Sequence, residues 1–206
     1  MFLRNFQQDT PPNSFFPYTR FEHNSDAYTV IQLGNPLLRL ISKPITNNLF
    51  GSEELKKMES ILFKTLETEK GLGLGAPQIG INKRVIVFGM NQHPIHTYLA
   101  PIPFTALFNP SFEPLSDIIE EGYEGCLSVG QLRGKVSRYK SIGYRGYDAN
   151  GNLIEREVSG LHARVVQHEF DHLDGVVFLD KVTDYSSLGF HDELIQSGAL
   201  SSKKAD

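Results

Sequence analysis

Residues 161–173, LHARVVQHEFDHL, form a helical stretch whose buried face carries two imidazoles. Leu161, Val165, His168 and His172 recur at helical spacing, so they stack on one side. Asp174-Gly175 closes the helix, with glycine at the expected C-terminal position. Two inward imidazoles on adjacent turns each need a polar partner in a buried place. A pair of satisfied core histidines needs separate partners for each ring, whereas one divalent cation satisfies both. Glu169 directly follows the first histidine and completes His-Glu-x-x-His, the pattern in which two histidines hold a metal beside a glutamate base. Taken singly, Glu169 is equally a solvated helix charge, so the short motif calls for independent support.

The rest of the chain must wrap that helix. Residues 52–70 read as a second helix, with Leu55, Met58, Leu62 and Leu66 at helical spacing, Ser52 as N-cap, and Glu53 and Glu54 in the first turn. Glycine and proline in GLGLGAPQIG, residues 71–80, forbid its continuation. RVIVF at 84–88 is a buried β-branched strand, and 105–115 reads as extended segments broken by prolines. Residues 140–158 predict a hairpin turning at Asn150-Gly151. Strands and helices mix without regular alternation, which predicts an α+β fold. The sheets are expected to be mixed and mainly antiparallel, packed around the C-terminal helix that carries the two histidines. With 206 residues the chain suits one domain with loose ends. The expected division is an N-terminal extension at 1–28, a catalytic domain at 29–182, and a tail at 183–206 in which DELIQSG forms a short helix.

A catalytic metal wants a third protein ligand and an open position. His93 and His96 flank a proline in a polar loop and read as decoys. His162 lies six residues before His168, off the inner face. That leaves Cys126, the only cysteine, in EGCLS. A lone cysteine is a buried apolar filler, a nucleophile or a ligand, and it cannot form an internal disulfide. As a thiolate it is a strong ligand for iron or zinc.

Three motifs in order, GLGLGAPQ (71–78), EGCLS (124–128) and QHEFDHLDG (167–175), make the chain resemble the peptide deformylase family of the bacterial or organellar type. The resemblance runs from about residue 33 to residue 180. It implies hydrolysis of the N-formyl group from the formylmethionine that begins a nascent polypeptide, with release of formate. Cys126, His168 and His172 would then hold one divalent metal, characteristically Fe(II), with Zn(II), Ni(II) or Co(II) able to replace it. Glu169 would be the general acid/base, while the Gln78 side-chain amide and the Leu127 backbone N–H would bind the oxyanion. Gly73 would let the first loop lie against substrate, and Leu72, Leu161 and Val165 would wall the methionine pocket. Behind the ligands, Glu124 would orient a ligating histidine and Asp171 would pair with Arg138. Two departures from the family pattern stand out, namely Gly75 where alanine is usual and Gly130-Gln131 where proline often comes first.

Two other enzymatic readings compete with this one. Cys126 with a histidine base would make a thiol amidohydrolase. A metallopeptidase would more commonly draw its third ligand from histidine or glutamate. The net charge of −4 leaves no electrostatic footprint for nucleic acid or anionic membrane. No apolar run reaches a membrane span, and the N-terminus lacks the apolar core of a secretory signal. A reducing cytoplasmic setting fits, with formylated nascent peptides at the ribosome as partners and organellar import left open. The sequence sets no oligomeric state.

Overall fold

The computed structural model describes residues 27–92 and 99–200. His93 and His96, and nearly all of the N-terminal extension, lie outside that range.

Helix α1 (Glu53–Glu69) begins where Ser52 accepts a hydrogen bond from the Leu55 N–H at 3.3 Å, with Glu53 and Glu54 in its first turn. Both features oppose the positive end of the helix dipole. It ends at Lys70, whose φ of 55° is left-handed. Leu55, Met58 and Leu62 are fully buried on its inner face. Each such side chain contributes about 1.5–3 kcal/mol relative to exposure.

Strands β1 (Gly73–Gly75), β2 (Val85–Met90), β3 (Ile102–Pro114), β6 (Ser141–Tyr147) and β7 (Leu153–Ser159) form one antiparallel sheet in the order β1-β2-β3-β6-β7. Strands β4 (Ile119–Gly125), β5 (Leu132–Tyr139) and β8 (Gly189–Phe190) form a second antiparallel sheet. The predicted hairpin is β6–β7, and Gly151 turns it with a φ of 88°. The extended segments expected at 105–115 are instead one long strand. Asn109, at φ 52°, lies with Pro110 in the register shift between Phe108 and Ser111. Its side chain accepts from the Ile45 N–H and donates to the Ile45 carbonyl. A bulge of this kind bends a strand without ending it.

Helix α2 (Gly160–Leu173) packs against strands of both sheets. The fold is therefore α+β, with the two sheets around a central helix. The buried arc of α2 is wider than the four-residue stripe, because Ala163, Val166, Gln167 and Glu169 are buried as well. Glu169 is thus no surface charge. The segment read as a tail also carries structure. β8 pairs with β5 through Arg133 and Gly189, and α3 (His191–Gln196) follows it. Folded chain therefore runs past the boundary drawn at 182. No helix among the described residues is long and apolar enough to cross a membrane.

Candidate metal centre

Cys126 stands at the end of β4, where it opens a tight turn. Its carbonyl accepts from the Val129 and Gly130 N–H groups at 3.0 and 3.2 Å. Gly130 closes the turn at φ 75°, a left-handed conformation that glycine adopts without strain. This accounts for glycine at that departure from the family pattern. His168 and His172 come from successive turns of α2. One donor atom from each of Cys126, His168 and His172 lies within 4.8 Å of the others, and all three residues are buried. Cys126 Sγ is 3.2 Å from His172 Nε2.

His168 Nδ1 is 2.9 Å from Glu124 Oε2, which leaves its Nε2 for the cluster. Glu124 is buried, and burial alone would raise its pKa. Hydrogen bonds from Arg138 and His168 prevail and hold it well below the usual carboxylate range. Arg138 grips it with two bonds of 2.9 Å and reaches Asp171 with its third nitrogen. Arg164 adds a further bond of 2.8 Å to Glu124. The two histidines respond in opposite directions. Burial would lower both, but contacts with Cys126 and Glu124 raise His168 well above its ordinary value. His172, also buried and facing the His168 charge, is held well below its own. Their rings lie 5.2 Å apart, so two protons would repel strongly there.

Glu169 follows His168 on α2 and is buried as well. Burial pushes its carboxyl up to about 7, and Oε2 has no hydrogen-bond partner among the described residues. Its neighbour is Gly73 on β1, where a Cβ atom would lie 2.5 Å from Glu169 Oε1. Gly73 is therefore the space into which the carboxylate fits. Gln78 sits on the short helical turn Ala76–Ile79 and is fully buried. Its Oε1 accepts from the Gly75 N–H at 2.7 Å. That bond turns the amide nitrogen toward Cys126 Sγ at 3.4 Å and Ser128 Oγ at 3.2 Å. The Leu127 N–H has no acceptor among the described residues, while the Leu127 carbonyl accepts from Gln32 at 3.1 Å.

The donor set suits a divalent cation. One sulfur and two imidazoles converge, one imidazole is oriented from behind by a carboxylate, and the residue after it, Glu169, holds a buried carboxylate oxygen with no partner among the described residues. The profile of the family described as polypeptide deformylase matches residues 27–187. The chain belongs to the peptide deformylase family. Peptide deformylase 2 of Pseudomonas syringae pv. tomato is 44% identical over 163 residues, covering 79% of this chain and 91% of that protein. Peptide deformylase 1 of Bordetella pertussis is 41% identical over 167 residues, covering 81% and 94%. The class I type b peptide deformylase of Acinetobacter baumannii, solved with Met-Ala-Ser bound, has a TM-score of 0.72 at 31% identity, over 76% of this chain and 98% of that one.

Within this deformylase framework, Cys126, His168 and His172 converge, Gln78 Nε2 lies 3.4 Å from Cys126 Sγ, and Leu127 and Glu169 directly follow Cys126 and His168 in sequence. Leu72, Leu161 and Val165 meet in a single apolar cluster, joined there by Met90 and Ile102, which sequence patterning did not flag. His162 stays apart, as its spacing predicts. It packs on Phe88 and lies 3.4 Å from the Tyr144 hydroxyl, and burial with Arg156 nearby lowers it to about 4. Two further residues went unread. Ser128, two positions after Cys126, was within reach of motif reading. Arg164, one turn before His168, was signalled only by its spacing.

Proposed function

We propose that this deformylase holds one divalent cation, Fe(II) natively, on Cys126, His168 and His172. It removes the formyl group from formylmethionine at the start of nascent peptides emerging from the ribosome. The observation that carries this reading is the convergence of Cys126, His168 and His172 on one centre, with Glu169, whose Oε2 has no partner among the described residues, next to His168 in the chain. The Met-Ala-Ser peptide bound to the Acinetobacter baumannii relative has the form of a deformylated product, which supports the same substrate class here. A cation at this donor set supplies Lewis acidity and makes water a usable nucleophile near neutral pH.

The chain's own groups do the rest. Glu169 takes a proton from the attacking water, whose oxygen bonds to the formyl carbon. A carboxyl held near 7 is suited to accepting that proton and returning it. The Leu127 N–H, which has no acceptor among the described residues, donates to the oxygen that becomes negative. The Gln78 amide joins it by giving up one of its two present acceptors, Cys126 Sγ or Ser128 Oγ. Glu169 then passes the proton to the departing nitrogen as the C–N bond breaks, leaving formate and a free amino terminus. Leu72, Leu161 and Val165 enclose the methionine side chain, and the backbone at 71–73 pairs with the peptide in strand fashion.

The test is formate release from formyl-Met-Ala-Ser by anaerobically purified, Fe(II)-loaded protein. Activity should vanish with chelator and return with metal, and Cys126→Ser should fail to hold the ion. Activity that survives chelation but is lost on thiol alkylation would favour the thiol amidohydrolase.

A further inference from the structure

We infer that Arg164 is a positioning residue of this centre: its guanidinium, seated over Gly122, locks the Glu124 carboxylate onto His168. In doing so it sets the spacing between α2 and the strand that leads to Cys126. The inference rests on the cation reading proposed above.

The centre is divided between two parts of the fold. Both histidines belong to α2, whereas Cys126 follows β4 in the other sheet. Arg164 spans the gap. From α2 it donates to the Glu120 carbonyl at 2.7 Å, the Val136 carbonyl at 2.8 Å and the Glu124 carboxylate at 2.8 Å, with a longer contact of 3.4 Å to the Gly122 carbonyl. Glu120 and Gly122 lie two residues apart on β4, and Val136 opposes Gly122 on β5, so the guanidinium lies across both strands. Arg164 is planar and multidentate, which lets it bond these carbonyls and the carboxylate together.

Glu124 shows why a second arginine is needed. Its Oε1 accepts from Arg138 Nε and Arg164, and its Oε2 faces Arg138 Nη2 and His168 Nδ1. All four contacts are between 2.8 and 2.9 Å, so the carboxylate is held on both oxygens. Arg138 is shared, because Asp171 also takes one of its nitrogens. Asp171 has a second cation in Lys181 at 3.4 Å, and Arg164 is the second cation on the Glu124 side, at 2.8 Å. Gly122 provides the room, since a Cβ there would sit 3.0 Å from Arg164 Nη2 and 3.1 Å from Cζ.

Three variants of the full chain test this by Co(II) affinity in chelator competition. The Co(II)–thiolate absorption band and steady-state kinetics serve as further readouts. Arg164→Met removes the donors at similar length, Gly122→Val pushes the guanidinium off its seat, and Arg164→Lys retains the charge. Arg164→Met and Gly122→Val should bind Co(II) about 10–100-fold more weakly, the range seen when groups behind metal ligands are removed. The thiolate band should shift and kcat should fall with KM unchanged, and Arg164→Lys should lie between these and wild type. If Arg164→Met does not fold, the other two decide: weaker Co(II) binding by either folded protein supports the inference, and wild-type binding in both overturns it. A wild-type chain that takes up no Co(II) would overturn the cation reading, and this inference with it. Normal uptake by wild type with unaltered affinity in the folded variants overturns this inference alone.

Discussion

Replacing Glu169 by glutamine should make the chelator-treated protein more stable at alkaline pH while abolishing turnover by the loaded enzyme. The carboxyl is buried, with its pKa raised from 4.5 to about 7. A raised carboxyl pKa means that the folded state prefers the protonated form. Its contribution is fully present below the ordinary value of 4.5 and is lost as pH climbs through 7. With those two values the ionisation penalty on the native state is under about 1 kcal/mol at pH 5 and roughly 3 kcal/mol at pH 8. Glutamine has nearly the same shape and does not titrate. Any cost of burying its amide is constant with pH, so the pH trend isolates the charge. His168 loses the attraction of the Glu169 charge in the variant but keeps the Cys126 and Glu124 contacts that raise it more. The stability gap should widen by roughly 2–3 kcal/mol between pH 5 and pH 8, or about 5–10 °C in Tm for a domain of this size. Thermal unfolding followed by circular dichroism in excess chelator, at three pH values, measures it. Loading the cation should narrow the gap, because a positive charge beside the carboxylate favours its ionised form. Formate release should fall by about 10²–10⁴-fold, the usual worth of a positioned base. A gap independent of pH, or one that grows toward acid, would refute the assignment of a desolvated carboxyl at this position.

Gly73→Ala should lower kcat strongly with little loss of fold, because the added methyl would meet the Glu169 carboxylate at 2.5 Å and displace it; kinetics and a melting curve separate the two effects. Gly75→Ala should be accepted, since its φ of −88° suits any residue and the new Cβ would press only on His172 Cβ, at 3.3 Å. Reduced freedom of the unfolded chain should then raise stability by about 0.4–1 kcal/mol, read from denaturant unfolding, with turnover near that of the parent.

The centre was more legible in the sequence than its surroundings. Two histidines four apart on an apolar stripe announce their direction, because helical geometry is local. Cys126 and Gln78 were recognised through short motifs, whose spacing along the chain is also local. The supporting contacts are not local. The tie between Arg164 and the β4 edge links residues 44 apart, and the bulge at Asn109 depends on Ile45, 64 residues away. Pro110, next to Asn109, reads as a break until that partner is known. The burial of Glu169 needs β1, where Gly73 lies against its carboxylate, since one stripe of a helix does not disclose what covers its flank. β8 is two residues long and has no periodicity to detect; only its pairing with Leu132 and Arg133 defines it.

Cys126 and His172 meet at 3.2 Å although 46 positions separate them along the chain. A cation gripped at both ends closes that loop much as a covalent cross-link would. By loop-entropy reckoning, tying a loop of that length disfavours the unfolded ensemble by about 4 kcal/mol. With a single cysteine, the protein has no internal disulfide with which to do the same. The ion that equips it for hydrolysis would thus also serve as its one removable staple, and its loss through oxidation of the Cys126 thiolate would loosen the fold and silence the enzyme together.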